Sequence, residues 1–203
     1  MKVLNLYAGI GGNRKLWEDV EVTAVEYNEE IAGIYKDLYP NDTVIVGDAH
    51  EYLSKHYKEF DFIWSSPPCQ SHSKVRMMAS KSGSYDAVMP DMKLWAEILF
   101  LQHFATDSKW VVENVKPYYK PLIEPTQKLH RHLFWSNFEI PFTEMSDGLS
   151  HNERGYAAKS NFDLSKYKIK HRKDQILRNC VVPELGEYVF NCIKNIEYEK
   201  INQ

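Results

Sequence analysis

The sequence has little cysteine, no long apolar run and no strong charge of either sign. Its 203 residues include three cysteines, Cys69, Cys180 and Cys192, an odd number set far apart. That excludes a dense disulfide framework and points to a reducing cytosol. No apolar run approaches the ~18 residues that a spanning helix needs. The opening MKVLNLYAGIGG has one lysine and then a strand-like stretch, without the order of a signal peptide. A cytoplasmic chain with no membrane attachment is expected. A net charge of −3 excludes a uniformly basic nucleic-acid binder. Internal repeats and low-complexity tracts are also missing.

Hydrophobic residues make up 43% and aromatics 13%, ample for the core of one domain with at most a small appendage. VLNLY, VTAVE, TVIV, FDFIWS and KWVVENV read as strands. Between them GNRKLWEDV, NEEIAGIYKDLY, AHEYLSKHYKEF and DMKLWAEILFLQHFA read as helices, with Asn28 as an N-cap and Pro40 past a helix end. This alternation predicts an α/β fold, a mostly parallel sheet with helices on both faces. Ligands of such sheets bind beyond the carboxyl ends of the strands, which selects Gly9, Glu26, Asp48, Cys69 and Glu113. After Pro117 the pattern fades. Residues 141–174 are polar and lysine-rich, and VPELGEYVFNCIKNIEYEK reads as a helix with Pro183 in its first turn.

LYAGIGGNRKLW is a strand, a glycine turn and an expected helix. A dinucleotide fingerprint would need glycine where Arg14 stands, and a Walker lysine is missing. A carboxylate at Glu26 suits two ribose hydroxyls, Tyr27 an adenine face and Asp48 an adenine amino group. Each acid alone reads better as a surface group or helix cap. Together they describe a pocket for an adenosine-bearing cofactor without a pyrophosphate. In SSPPCQSHS two prolines stiffen the backbone before Cys69. The result is a rigid turn with a buried thiol or an aimed nucleophile. A zinc site on Cys69 and His72 would need a second pair, for which His130 and His132 are the candidates, and is disfavoured. Three basic clusters, around Lys74, Arg76 and Lys81, around Lys128 to His132, and from Lys166 to Arg178, suggest a phosphate-facing cleft.

LYAGIGG, Glu26-Tyr27, Gly47-Asp48, PPCQSHS, ENV at 113–115 and RNCVVPELGEYVF, in that order, resemble the DNA cytosine-5 methyltransferases. A compact, phage-like member is the match. The resemblance implies the Rossmann-like sheet of S-adenosylmethionine-dependent methyltransferases with a minimal target-recognition region. It implies S-adenosylmethionine as cofactor, held by Leu6, Tyr7, Gly9, Gly11, Gly12, Glu26, Tyr27, Asp48, Ala49, Pro67 and Asn179. It implies catalysis on a flipped-out cytosine, with Cys69 as nucleophile and Glu113 as acid, and a loop from Ser71 to Met89 that closes over DNA.

The family's arginine pair falls on His130 and His132 in KLHRHLFWSNF, with Arg131 between them. Arg131 is therefore carried as a third catalytic candidate. Expected boundaries are a catalytic and cofactor-binding domain over 1–140, a reduced target-recognition segment over 141–174, and a returning segment over 175–203. The expected partner is duplex DNA, bound by a monomer, with a restriction or phage partner left open. Alternatives are an amino-group methyltransferase, since SSPPC resembles that family's turn up to its last residue, an RNA cytosine methyltransferase, and an inactive cofactor-binding remnant.

Overall fold

The computed structural model describes residues 1–129, 131–144 and 161–201. His130 and the middle of the expected target-recognition segment lie outside the described residues. The elements are β1 (Lys2–Leu6), β2 (Glu21–Glu26), α1 (Glu29–Leu38), β3 (Thr43–Val46), α2 (Ala49–His56), β4 (Phe62–Ser65), α3 (Lys74–Lys81), α4 (Lys93–Phe104), β5 (Lys109–Val115), β6 (Gln127–Leu129), β7 (His132–Ser136), α5 (Lys173–Arg178) and α6 (Pro183–Ile201). The sheet runs β3-β2-β1-β4-β5-β7-β6. The β1, β2, β3, β4 and β5 ladders are parallel, and β7 enters antiparallel to both β5 and β6. Strand order reverses between β1 and β4, so a crevice opens where the glycine loop and the proline turn leave the sheet.

Period-two alternation divides the core. Leu4, Leu6, Ile63 and Val112 point to the face covered by α2 and α4, with Leu53, Leu94, Trp95 and Ile98. Val3, Phe62, Trp64 and Val111 point to the face covered by α6, with Leu185, Val189 and Phe190. Phe162 and Leu164 from the end of the expected recognition segment and Ile176 and Leu177 from the start of the expected returning segment pack with Ile10 and Ile34, which fastens this stretch to α1.

The expected helix over GNRKLWEDV does not form, and residues 12–16 make turns. Trp17 bonds back to Arg14, three residues away rather than four. Tertiary contacts override the local preference. The Arg14 guanidinium clasps Asp42 at 2.9 and 3.1 Å. Trp17 stacks on Phe190 at 5.1 Å and donates to Gly186 O at 3.1 Å. A Cβ at Gly186 would lie 2.3 Å from Asn13 O, so the turn sits directly on α6. Residues 74–81, expected as part of a loop, form α3. Asn28 caps α1 as expected, accepting from Ile31 N.

Candidate active site

On the cofactor side the glycine loop leaves β1 with positive φ at Tyr7, Gly9 and Gly11. Gly9 faces open space, with nothing within 4 Å of an added Cβ. Gly11 and Gly12 back the loop instead. A Cβ at Gly11 would meet Tyr39 at 2.4 Å, and one at Gly12 would meet Val181 O at 2.4 Å. Leu6 is buried in the core below, and Asn179 is exposed beside Cys180, which packs on Gly12.

Glu26 ends β2 and accepts from Gly9 N at 2.9 Å and Asn28 N at 2.8 Å. Its carboxylate is thereby aimed across the open space at Gly9. Tyr27 is 79% exposed, a ring free to be covered. Asp48 caps α2, accepting from His50 N and Glu51 N, while Ala49 is the buried first residue of that helix. Lys93 reaches Asp48 at 2.8 Å and, as hydrogen-bond donor, holds its carboxyl below the usual range. An open loop, a half-buried carboxylate and an uncovered aromatic at successive strand ends fit a nucleoside-bearing cofactor.

On the other side of the crevice the proline turn and β5 are stitched together. Asn114 Nδ2 donates to Pro67 O at 2.8 Å, and Ser66 Oγ donates to Glu113 Oε2 at 3.0 Å. Cys69 and Glu113 therefore share one site. Burial pushes the Cys69 thiol up to about 11, with the Glu113 charge adding to burial and Arg131 opposing it. His72 is buried; it hydrogen-bonds Tyr119 at 2.6 Å, and Tyr118 N donates to its carbonyl. These contacts anchor the start of the Cys69 loop to the chain after β5.

Two groups stand out that were not among the expected catalytic residues. Glu97, fully buried in α4, accepts from Tyr7 Oη, from Ser65 Oγ at 2.7 Å, and pairs with His50 Nδ1 at 3.0 Å. It ties the ends of β1 and β4 to the start of α2. An acid in the middle of an apolar helical stretch, DMKLWAEILFLQ, was its only sequence signal. The second is His132, whose Nδ1 lies 2.5 Å from Glu113 Oε1.

A family model described as C-5 cytosine-specific DNA methylase matches residues 1–122. The chain belongs to the C-5 cytosine-specific DNA methylases. Its sheet is the mostly parallel, Rossmann-like sheet of the S-adenosylmethionine-dependent methyltransferases, and the family's reaction is methylation of cytosine. Among solved structures it is similar to Spodoptera frugiperda DNMT2, with 27% identity and a TM-score of 0.42 over 57% of this chain and 35% of that one. A DNA modification methyltransferase encoded within an E. coli prophage aligns with 18% identity and a TM-score of 0.40, over 59% of this chain and 33% of that one. EhMeth of Entamoeba histolytica aligns with 18% identity and a TM-score of 0.37, over 57% and 38%. The chain thus spans between a third and two-fifths of the length of these structures. No curated protein gives a significant match.

Departures from the family pattern lie beyond the matched residues. Arg131 is exposed in the turn before β7, while His132 is buried at the first position of that strand. His132 pairs in register with Val115, which places it diagonally from Glu113 on one sheet face. The third basic cluster is largely paired with acids. Lys166 bonds Asp37 at 2.7 Å, His171 bonds Glu30 at 3.3 Å, and Arg172 bonds Asp174 at 2.8 Å. Among the described residues no helix is long and apolar enough to cross a membrane, and no group of three or more His, Cys, Asp or Glu side chains could hold a metal ion.

Proposed function

We propose that the chain transfers a methyl group from S-adenosylmethionine to carbon 5 of cytosine in duplex DNA, through a covalent adduct on Cys69. The observation that carries this reading is the pair of hydrogen bonds joining the proline turn to β5, Asn114 to Pro67 and Ser66 to Glu113. They support a thiol and a carboxyl close together on one side of the crevice, as addition to a pyrimidine requires. Bound S-adenosylmethionine supplies an electrophilic methyl on a sulfonium. Glu26 would hold its ribose, Tyr27 and Asp48 its adenine, and Gly9 gives it room.

Cytosine carbon 5 is a weak nucleophile until carbon 6 is attacked. The Cys69 thiolate forms the Sγ–C6 bond, and the displaced ring electrons collect on the N3 side, where a proton from Glu113 meets them. That makes carbon 5 an enamine carbon able to take the methyl. Water takes the carbon-5 proton, the electrons of that C–H bond restore the ring double bond and expel the thiolate, and the N3 proton returns to Glu113. The stack must release the base first, at a cost of a few kcal/mol. Residues 141–174 would form a reduced target-recognition segment, followed by a returning segment from 175. So short a segment supplies few base contacts, so a relaxed target of roughly 2–4 base pairs, or help from a partner, follows.

Labelled-methyl transfer to duplex DNA, with tRNA as competing substrate and Cys69→Ala as control, tests the proposal. Label on cytosine carbon 5 of DNA, lost in the variant, is expected. Label on tRNA alone, or on an exocyclic nitrogen, would overturn it.

A further inference from the structure

We propose that His132 is the proton-holding partner of Glu113, and that a nucleic-acid phosphate switches it on by drawing Arg131 off its ring. The inference rests on the cytosine reading above and explains where the acid obtains its proton. In the structure Glu113 accepts from Ser66 on Oε2 and faces His132 Nδ1 across Oε1; with the hydrogen on Nδ1, the tautomer that Arg131 sets, both oxygens accept. A carboxylate in that state has no proton to give a base. Both side chains of the pair are nearly closed to water, at 5% and 8% exposure. The proton must therefore reach Glu113 through its neighbour.

The tautomer is set by the other ring nitrogen. Arg131 Nε donates to His132 Nε2 at 3.3 Å. A guanidinium cannot surrender its proton, so Nε2 is the acceptor and Nδ1 carries the hydrogen facing Glu113. The pair then holds one proton. A second can enter only at Nε2, and Arg131 blocks that atom. Arg131 is exposed, and its bond to the ring is long. A phosphate offers the guanidinium a charged, bidentate partner that an imidazole cannot match.

When Arg131 turns to a phosphate, a proton supplied by the buffer acid through solvent binds Nε2 and the Nδ1 proton passes to Glu113. Imidazole stays neutral, the carboxylate becomes a carboxyl, and no heavy-atom bond or electron count changes. Among the described residues the titratable and charged groups on the pair are Glu113 from β5, Arg131 from the turn before β7 and, across Glu113, Cys69 from the turn after β4. On the apolar side Phe134 lies 6.4 Å from the imidazole. The same proton thus arms the acid, and only with nucleic acid in place. His132 acts through Glu113 and is a positioning residue.

Titration calorimetry of the full chain with duplex DNA, in buffers of different ionisation enthalpy, reads proton uptake on binding. Wild type should take up about one proton near neutral pH, and His132→Gln clearly less. Equal uptake in both would overturn the proposal. Uptake lost in the variant while the wild type methylates no cytosine would instead count against the cytosine reading alone. Arg131→Gln tests the same link without disturbing the buried ring. With Nε2 open before DNA arrives, that variant should take up clearly less proton on binding DNA than wild type. Uptake equal to wild type would also overturn the proposal.

Discussion

On the β1–β2–β3 side of the crevice the carboxylates are held by groups that do not titrate near neutrality. Glu26 accepts from the backbone at Gly9 and Asn28, and Asp48 accepts from the backbone at His50 and Glu51 and from Lys93. On the β4–β5–β7 side the partners of Glu113 among the described residues are side chains, Ser66 and His132. Backbone donors fix charge and position together, which suits binding of a cofactor that is the same at every turnover. A histidine donor fixes position but leaves the proton count open, which suits a site where a proton must move. The contrast fits the proposed division of the crevice into a side that binds and a side that reacts.

The largest expected effect lies on the reacting side. Cys69→Ala should reduce methyl transfer to background while calorimetric affinity for S-adenosylmethionine stays near wild type. Weakened cofactor binding in that variant would break the division. Glu113→Gln should slow transfer by roughly 10²–10⁴-fold. Because the Glu113 charge helps burial hold the Cys69 thiol up at about 11, the same variant should speed alkylation of Cys69 by iodoacetamide at neutral pH several-fold. Peptide mapping by mass spectrometry separates Cys69 from Cys180 and Cys192. Slower alkylation would mean that Glu113 does not act on the thiol.

Glu97 sits between the two sides, and its loss should reach both. Glu97→Ala leaves the hydroxyls of Tyr7 and Ser65 without their acceptor and should destabilise the fold by about 1–3 kcal/mol, read from urea midpoints. The Glu97 hydrogen bond raises His50 above the ordinary imidazole range, against a smaller opposing effect of burial. A raised folded value means that this contribution is full below pH of about 6.5 and is lost as pH rises through the folded value. The stability gap between wild type and His50→Gln should therefore narrow on raising the pH. A gap that widens would show His50 to be neutral at Glu97.

The binding side should respond more mildly. Glu26→Ala should weaken S-adenosylmethionine roughly tenfold or more, with little change in pH dependence. The smallest effect belongs to the third basic cluster. Lys166 is paired with Asp37, so Lys166→Ala should change the salt dependence of DNA binding less than the exposed Lys168→Ala does. The reverse order would mean that Asp37 releases Lys166 to DNA.

The mostly parallel sheet and the residues at strand ends were legible because period-two apolar runs and glycine or proline punctuation are local signals, whereas the order of strands came only with the structure. VLNLY, FDFIWS and KWVVENV became β1, β4 and β5 almost residue for residue. The failure over GNRKLWEDV has a non-local cause. Arg14, Trp17 and Asn13 are held by Asp42, Phe190 and Gly186, the farthest of them 173 positions away, and no window on residues 12–20 contains those partners. Glu97 was overlooked for the same reason, because its donors come from the ends of β1 and β4 and the start of α2.

The sequence by itself determined that a thiol, a carboxyl and a glycine loop would stand at the carboxyl ends of a parallel sheet, since side-chain period and backbone stiffness act within a few residues. Only the tertiary structure decided which nitrogen of His132 meets Glu113, which glycine faces open space and which acids are already bound. Those are questions of distance between segments far apart in the chain. A proton or a hydrogen bond is assigned by such distances, because its energy falls away within an ångström or two of its partner.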